Sequence, residues 1–103
     1  MAIEKWTALV EYPTYEISIF GEVRTKEAKM FKGTEIVLIP PRKLKPYDVG
    51  GTVKVMLYKL HERYEIRLNL LVMKAFGDAH RKMNLLHING NYFDCAFNNL
   101  KFK

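Results

Sequence analysis

Cysteine is almost absent from this 103-residue chain: Cys95 stands alone, so an internal disulfide and a thiolate zinc site are both excluded. Long apolar runs are missing too, and nothing approaches the ~20 residues that a membrane-spanning helix needs. There is no repeat, no low-complexity tract and no Gly/Ser linker. The opening MAIEKW does not read as a signal peptide, and the expectation is a cytoplasmic protein with a reduced thiol. What is present is globular in character. Hydrophobic residues make up 49% and charged residues 27%, which excludes a disordered tail or a collagen-like fibre. The length suits a single domain over residues 1–103.

Acidic residues are in deficit, 11 against 17 Lys and Arg, for a formal net charge of +6. The imbalance is local. Residues 1–23 set Lys5 against Glu4, Glu11, Glu16 and Glu22, a net −3, which leaves +9 on the remainder. Seven basic residues crowd one stretch: Arg24, Lys26, Lys29, Lys32, Arg42, Lys43 and Lys45. Such a field draws polyanions, and nucleic acid is the commonest intracellular one, although small proteins are also basic for solubility alone.

Hydrophobic periodicity predicts an α+β chain with more strand than helix. The alternation of residues 14–20 (TYEISIF) reads as a strand, Gly21 as a turn, and Val23-Arg24-Thr25 as a return strand. Residues 34–39 (TEIVLI) form another strand, stopped by Pro40 and Pro41. Val53, Val55 and Leu57 share one face of a strand over 52–58. Tyr64 and Ile66 repeat the pattern, so a hairpin through residues 59–62 follows, with Arg63, Glu65 and Arg67 on a wet face. Leu68, Leu71, Val72, Ala75 and Phe76 make one helical stripe, with Gly77 as its C-terminal cap. Residues 85–88 and 99–102 are short strands around an Asn-, Gly- and Asp-rich loop, whose Asn89, Asn91 and Asn98 suit Asx-turns. His61 falls in the hairpin turn and His80 in a charged connector.

Two segments carry a family resemblance. Residues 6–24, WTALVEYPTYEISIFGEVR, resemble the modular DNA-binding motif associated with intron- and phage-type HNH endonucleases. Trp6, Tyr12, Tyr15, Glu16, Ser18, Gly21, Val23 and Arg24 fall on its pattern. Residues 68–100 resemble the HNH part, through Leu71-Val72, Ala75-Phe76, HINGN at 87–91 and Asn99-Leu100. The resemblance implies a DNA-binding part over 1–47 and a truncated HNH-like module over 48–103. Its fold would be a small β-rich motif, a hairpin and a short helix leading into an incomplete ββα-metal core.

By position, the resemblance makes His87 the general base and Asn99 the partner that fixes its imidazole by a hydrogen bond. The family's divalent-ion ligands are the point of departure. Leu86, an aliphatic side chain, precedes the histidine, and the second ligand would lie on a helix past Lys103; only Asp94 offers a nearby carboxylate. The resemblance therefore implies a DNA-binding descendant of a homing-type nuclease with impaired catalysis and no metal cofactor. Two alternatives remain open: a Mg- or Mn-dependent nickase using His87 and Asn99, and a phage effector that binds a host protein complex. The partner expected is double-stranded DNA, contacted by Arg24, Lys26, Lys29, Lys32, Arg42, Lys43 and Lys45.

Overall fold

A computed structural model describes residues 6–77 and 85–102. Among the described residues, ten short strands form four small antiparallel sheets, joined by one α-helix and one 3-10 turn. The strands are β1 (Trp6–Ala8), β2 (Tyr15–Ser18), β3 (Val23–Thr25), β4 (Ala28–Lys32), β5 (Glu35–Ile39), β6 (Tyr47–Val49), β7 (Thr52–Lys59), β8 (Glu62–Arg67), β9 (Leu85–His87) and β10 (Leu100–Phe102). Helix α1 spans Leu68–Phe76. No helix among the described residues is long and apolar enough to cross a membrane.

The first sheet runs β1-β2-β3, with Trp6 opposite Ser18 and Tyr15 opposite Thr25. Tyr15 and Ile17 point inward from β2, as its alternation predicts, while β2 stops at Ser18 rather than at Phe20. The reason lies in the turn: Ser18 accepts through its carbonyl from the Gly21 amide (3.0 Å), and its own amide donates to the Glu22 carbonyl (2.8 Å). Gly21 has φ +84°, a left-handed conformation that favours glycine.

The second layer is β6-β7-β8. Val53, Val55 and Leu57 are buried on one face of β7, while Arg63, Glu65 and Arg67 are exposed on β8. The β7–β8 hairpin closes between Lys59 and Glu62, as its alternation requires. Its two connecting residues, Leu60 and His61, both have positive φ (52° and 67°), the backbone of a type I′ turn built from unfavourable residue types. Helix α1 follows β8 without a linker and buries Leu68, Leu71, Val72 and Met73. Gly77 does not take the left-handed conformation expected of a capping glycine. Its backbone is extended, and it ends the helix by donating its amide to the Met73 carbonyl at 2.8 Å.

One hydrophobic cluster joins these parts: Tyr15, Ile17 and Val23 from the first sheet, Val55 and Leu57 from β7, Leu68 and Val72 from α1, and Cys95 and Leu100 from the C-terminal segment. Residues from both 1–47 and 48–103 thus share a core. The Tyr15 hydroxyl accepts from the Tyr58 amide at 3.0 Å, which ties the two sheets together.

One hairpin stands apart. β4 and β5 pair from Ala28↔Ile39 to Lys32↔Glu35, and every residue of both strands is exposed. Gly33, with φ +64°, takes the first place of its two-residue loop, as a type II′ connection needs. This arm contributes no residue to the core cluster, and the molecule is elongated, 54 × 36 × 24 Å.

Candidate nucleic-acid interface and histidine loop

Of the seven basic residues expected to meet DNA, Arg24 stands on β3 and the other six lie on one excursion of the chain that follows it. The backbone leaves the first sheet after β3, runs out and back along the β4–β5 arm, and returns beside β3. There Arg24 bridges Lys43, the Thr25 amide donates to the Arg42 carbonyl (2.9 Å), and the Leu44 amide donates to the Val23 carbonyl (2.8 Å). Arg42, Lys43 and Lys45 are therefore placed at the root of the arm, with Lys29 and Lys32 along it, all exposed. Lys26, half-buried, marks the exit and donates its amide to the Thr14 carbonyl at 3.0 Å.

Two of the seven are engaged within the molecule. The Arg24 guanidinium lies 3.9 Å from the Trp6 ring centroid, and its Nε donates to Glu16 Oε1 at 3.0 Å. This half-buried stack fixes the β1-β2-β3 face, and Arg24 holds the sheet together before it can offer its remaining donors to a phosphate. Lys43 reaches Glu22 Oε2 at 2.6 Å, and both side chains are well exposed. Such a surface pair contributes about 0–1 kcal/mol and opens readily in favour of a stronger anion.

The histidine loop is built between β9 and β10. His87 ends β9 opposite Leu100, and the Ile88 amide donates to the Asn99 carbonyl at 2.8 Å. Asx-turns shape the loop as its composition predicts: Asn89 Oδ1 accepts from the Asn91 amide (2.9 Å) and Asn91 Oδ1 from the Phe93 amide (3.0 Å). Asn99, buried at the end of the 3-10 turn, donates Nδ2 to the Asp94 carbonyl (2.8 Å) and to Asn89 Oδ1 (3.0 Å). Its Oδ1 accepts from the Asn89 amide at 3.0 Å.

The expected Asn99–His87 hydrogen bond is replaced by a different arrangement. His87 Nδ1 lies 3.0 Å from the Asp94 carbonyl, the same oxygen that Asn99 holds. A carbonyl only accepts, so Nδ1 is the donor of this contact, and in the neutral tautomer that matches it Nε2 is the acceptor nitrogen. Asn99 thus acts on the imidazole at one remove, by fixing its acceptor. Nε2 in turn lies 3.3 Å from Asn69 Nδ2, on the first turn of α1. Asn69 Oδ1 is buried with no hydrogen-bond partner. Nothing in the loop's own sequence points to Asn69. The available signal is its position three and four residues before the buried Val72 and Met73, where a polar side chain needs a partner.

Among the described residues, Leu86 brings no ligating atom beside His87, and each Asp94 carboxylate oxygen accepts a hydrogen bond within the loop. Oδ2 accepts from Asn89 Nδ2 at 2.9 Å and Oδ1 from the Ala96 amide at 3.3 Å. Among the described residues no group of three or more His, Cys, Asp or Glu side chains converges. His61 is exposed in its hairpin turn, and His80 lies outside the described residues.

The loop is docked onto the first sheet. The Phe97 amide donates to the Ile19 carbonyl at 2.8 Å, and a Cβ placed on Gly21 would come within 2.6–2.9 Å of Cys95 and Ala96 backbone atoms. Cys95 is buried beneath this contact, and burial pushes its thiol up to about 12, with Asp94 adding to the effect. The thiol is a packing group there, not a nucleophile.

No protein-family model matches the chain, and no curated protein does either. A solved structure does, one described as DNA binding and cleavage by the HNH homing endonuclease I-HmuI. The alignment has a TM-score of 0.72 at 20% identity and covers 96% of this chain. The chain shares its fold with part of that structure. It spans about half of its structural neighbour, 52% of that chain, so the likeness concerns one part of a longer protein. The α+β architecture of small antiparallel sheets with one helix, expected from periodicity, agrees with that fold.

Proposed function

We propose that this chain is a double-stranded DNA-binding protein derived from an HNH homing-type endonuclease, with impaired catalysis. The observation that carries the reading is the exposed basic arm, β4–β5, on a fold shared with a protein described as binding and cleaving DNA. Residues 1–47 serve as the DNA-binding part, in the manner of the nuclease-associated modular motif. Residues 48–103 are the HNH-like module, with β9 and β10 as the two strands of its ββα-metal core. Lys29, Lys32, Arg42 and Lys45 make phosphate contacts, Lys26 and Lys43 add to the field, and Arg24 supports them through the Trp6 stack.

Impaired catalysis rests on the donor set: an aliphatic residue before His87, an Asp94 carboxylate tied into its own loop, and an imidazole whose basic nitrogen already takes a hydrogen bond from Asn69. No metal cofactor is proposed, and the setting is the cytoplasm, that of the host cell if the chain is phage-encoded. Fluorescence anisotropy against a short duplex tests the binding, and a supercoiled-plasmid assay with Mg²⁺ or Mn²⁺ tests the catalysis. Binding at low salt without nicking is expected. Absence of binding overturns the reading, and nicking that disappears in His87→Ala overturns its catalytic half.

A further inference from the structure

The arm carries more apolar surface than phosphate contact requires. Its register divides the side chains into two faces. Ala28, Met30 and Lys32 share one face with Glu35, Val37 and Ile39, whereas Lys29 and Phe31 share the other with Ile36 and Leu38. The second face is the more open: Phe31 is 75% exposed, Ile36 59% and Leu38 55%, against 49% for Met30, 37% for Val37 and 41% for Ile39. A two-stranded ribbon with apolar residues on both faces is marginal by itself and gains from being covered.

Charge decides what covers it. The open face holds Lys29 and no acid, while the only acidic residue on the two strands, Glu35, lies on the opposite face across from Lys32. A second copy laid face to face would bring two Lys29 ammonium groups into an apolar contact with no counter-charge, a costly burial. A duplex offers what this face lacks, phosphates for Lys29 and apolar base planes for the Phe31 ring. The ribbon is about 17 Å long, and a two-stranded ribbon fits a DNA groove. Phe31, next to last in β4 and paired with Ile36, belongs to the apolar pair nearest the tip and is its larger member.

We propose that Phe31 is a wedge that enters the base stack of bound DNA, with Ile36 and Leu38 following against the groove and Lys29 on a phosphate. This rests on the DNA-binding reading above and adds a deformation of the duplex to it. Apolar side chains inserted between base steps unstack and bend DNA, with pyrimidine–purine steps yielding most readily.

The test uses the full chain and duplexes carrying 2-aminopurine beside TA steps. Because Phe31 is outside the core, Phe31→Ala folds as the parent does, which thermal unfolding verifies. The expected result is a fluorescence rise on binding of the parent, lost in Phe31→Ala at saturating protein and kept in part by Phe31→Leu. Binding by the parent without any rise, or an equal rise in Phe31→Ala, overturns the wedge and leaves DNA binding standing. No binding by the parent at low salt overturns the underlying function instead. A dimer seen by sedimentation that Phe31→Ala dissociates, with no unstacking of DNA, also overturns the wedge and assigns the arm to self-association.

Discussion

Gly21→Ala is expected to be the most damaging single-methyl change in the molecule, and its cost can be assembled from the structure. The left-handed backbone at φ +84° costs an alanine about 1–2 kcal/mol. The new Cβ would stand 2.6 Å from the Cys95 carbonyl carbon, 2.7 Å from its oxygen and 2.9 Å from the Ala96 nitrogen. These are backbone atoms that cannot rotate away, so the loop must lift, at an overpacking cost of about 1–3 kcal/mol. Lifting it stretches the 2.8 Å Phe97–Ile19 hydrogen bond, worth about 1 kcal/mol. The sum, about 3–6 kcal/mol, is a large share of a small domain's total stability and corresponds to a fall in Tm of at least about 12 °C. Gly33→Ala is the internal control: φ is +64° but nothing lies within 4 Å of the added methyl, so only the backbone cost of about 1–2 kcal/mol applies. Urea and thermal unfolding followed by circular dichroism read both variants. Equal losses in the two would refute the docking of the histidine loop on the first sheet.

Leu60→Asn with His61→Gly should stabilise the fold by about 1 kcal/mol or more. Both positions have positive φ and Leu60 is 85% exposed, so turn strain is relieved with little packing lost; an unchanged denaturation midpoint would contradict this. Asn99→Asp places a carboxylate where two donated bonds, to the Asp94 carbonyl and Asn89 Oδ1, are needed. A loss of about 2–4 kcal/mol is expected at neutral pH. The introduced acid is pushed up in the fold, so stability recovers below its unfolded pKa near 4 and is lost as pH rises, a trend opposite to ordinary acid denaturation. Cys95, raised from an ordinary 9.0 to about 12, should resist thiol reagents until the chain unfolds. Its contribution is complete below pH 9 and falls by about 1.4 kcal/mol per pH unit between 9 and 12, and Cys95→Ala should flatten that part of the profile.

Elements whose residues alternate or repeat over a long stretch are legible in the sequence. Val53, Val55 and Leu57 announce β7, and the stripe from Leu68 to Phe76 announces α1, because burial on one face writes its period into the sequence. β1 and β6, three residues each, are too short to show a period. β4 read as a basic run because both of its faces are wet, which removes the contrast that alternation depends on. The signal that could have revealed it is Gly33-Thr34, a two-residue loop between AKMFK and EIVLI. In the histidine loop the Asx-turns were readable, since each is a local bond. The partners of His87 were not: Nδ1 meets a backbone carbonyl, which every residue has, and Nε2 meets an asparagine eighteen positions earlier.

The central claim, that a basic arm grips duplex DNA through its phosphates, is met most directly by the salt dependence of affinity. Each phosphate contact contributes about −0.9 to the slope of log K against log salt, so removing Lys29 and Lys32 together should make the slope shallower by about 2. The account predicts that shift for Lys29→Ala/Lys32→Ala, with the fold intact because both side chains are exposed. A parent slope that the double variant leaves unchanged would contradict it.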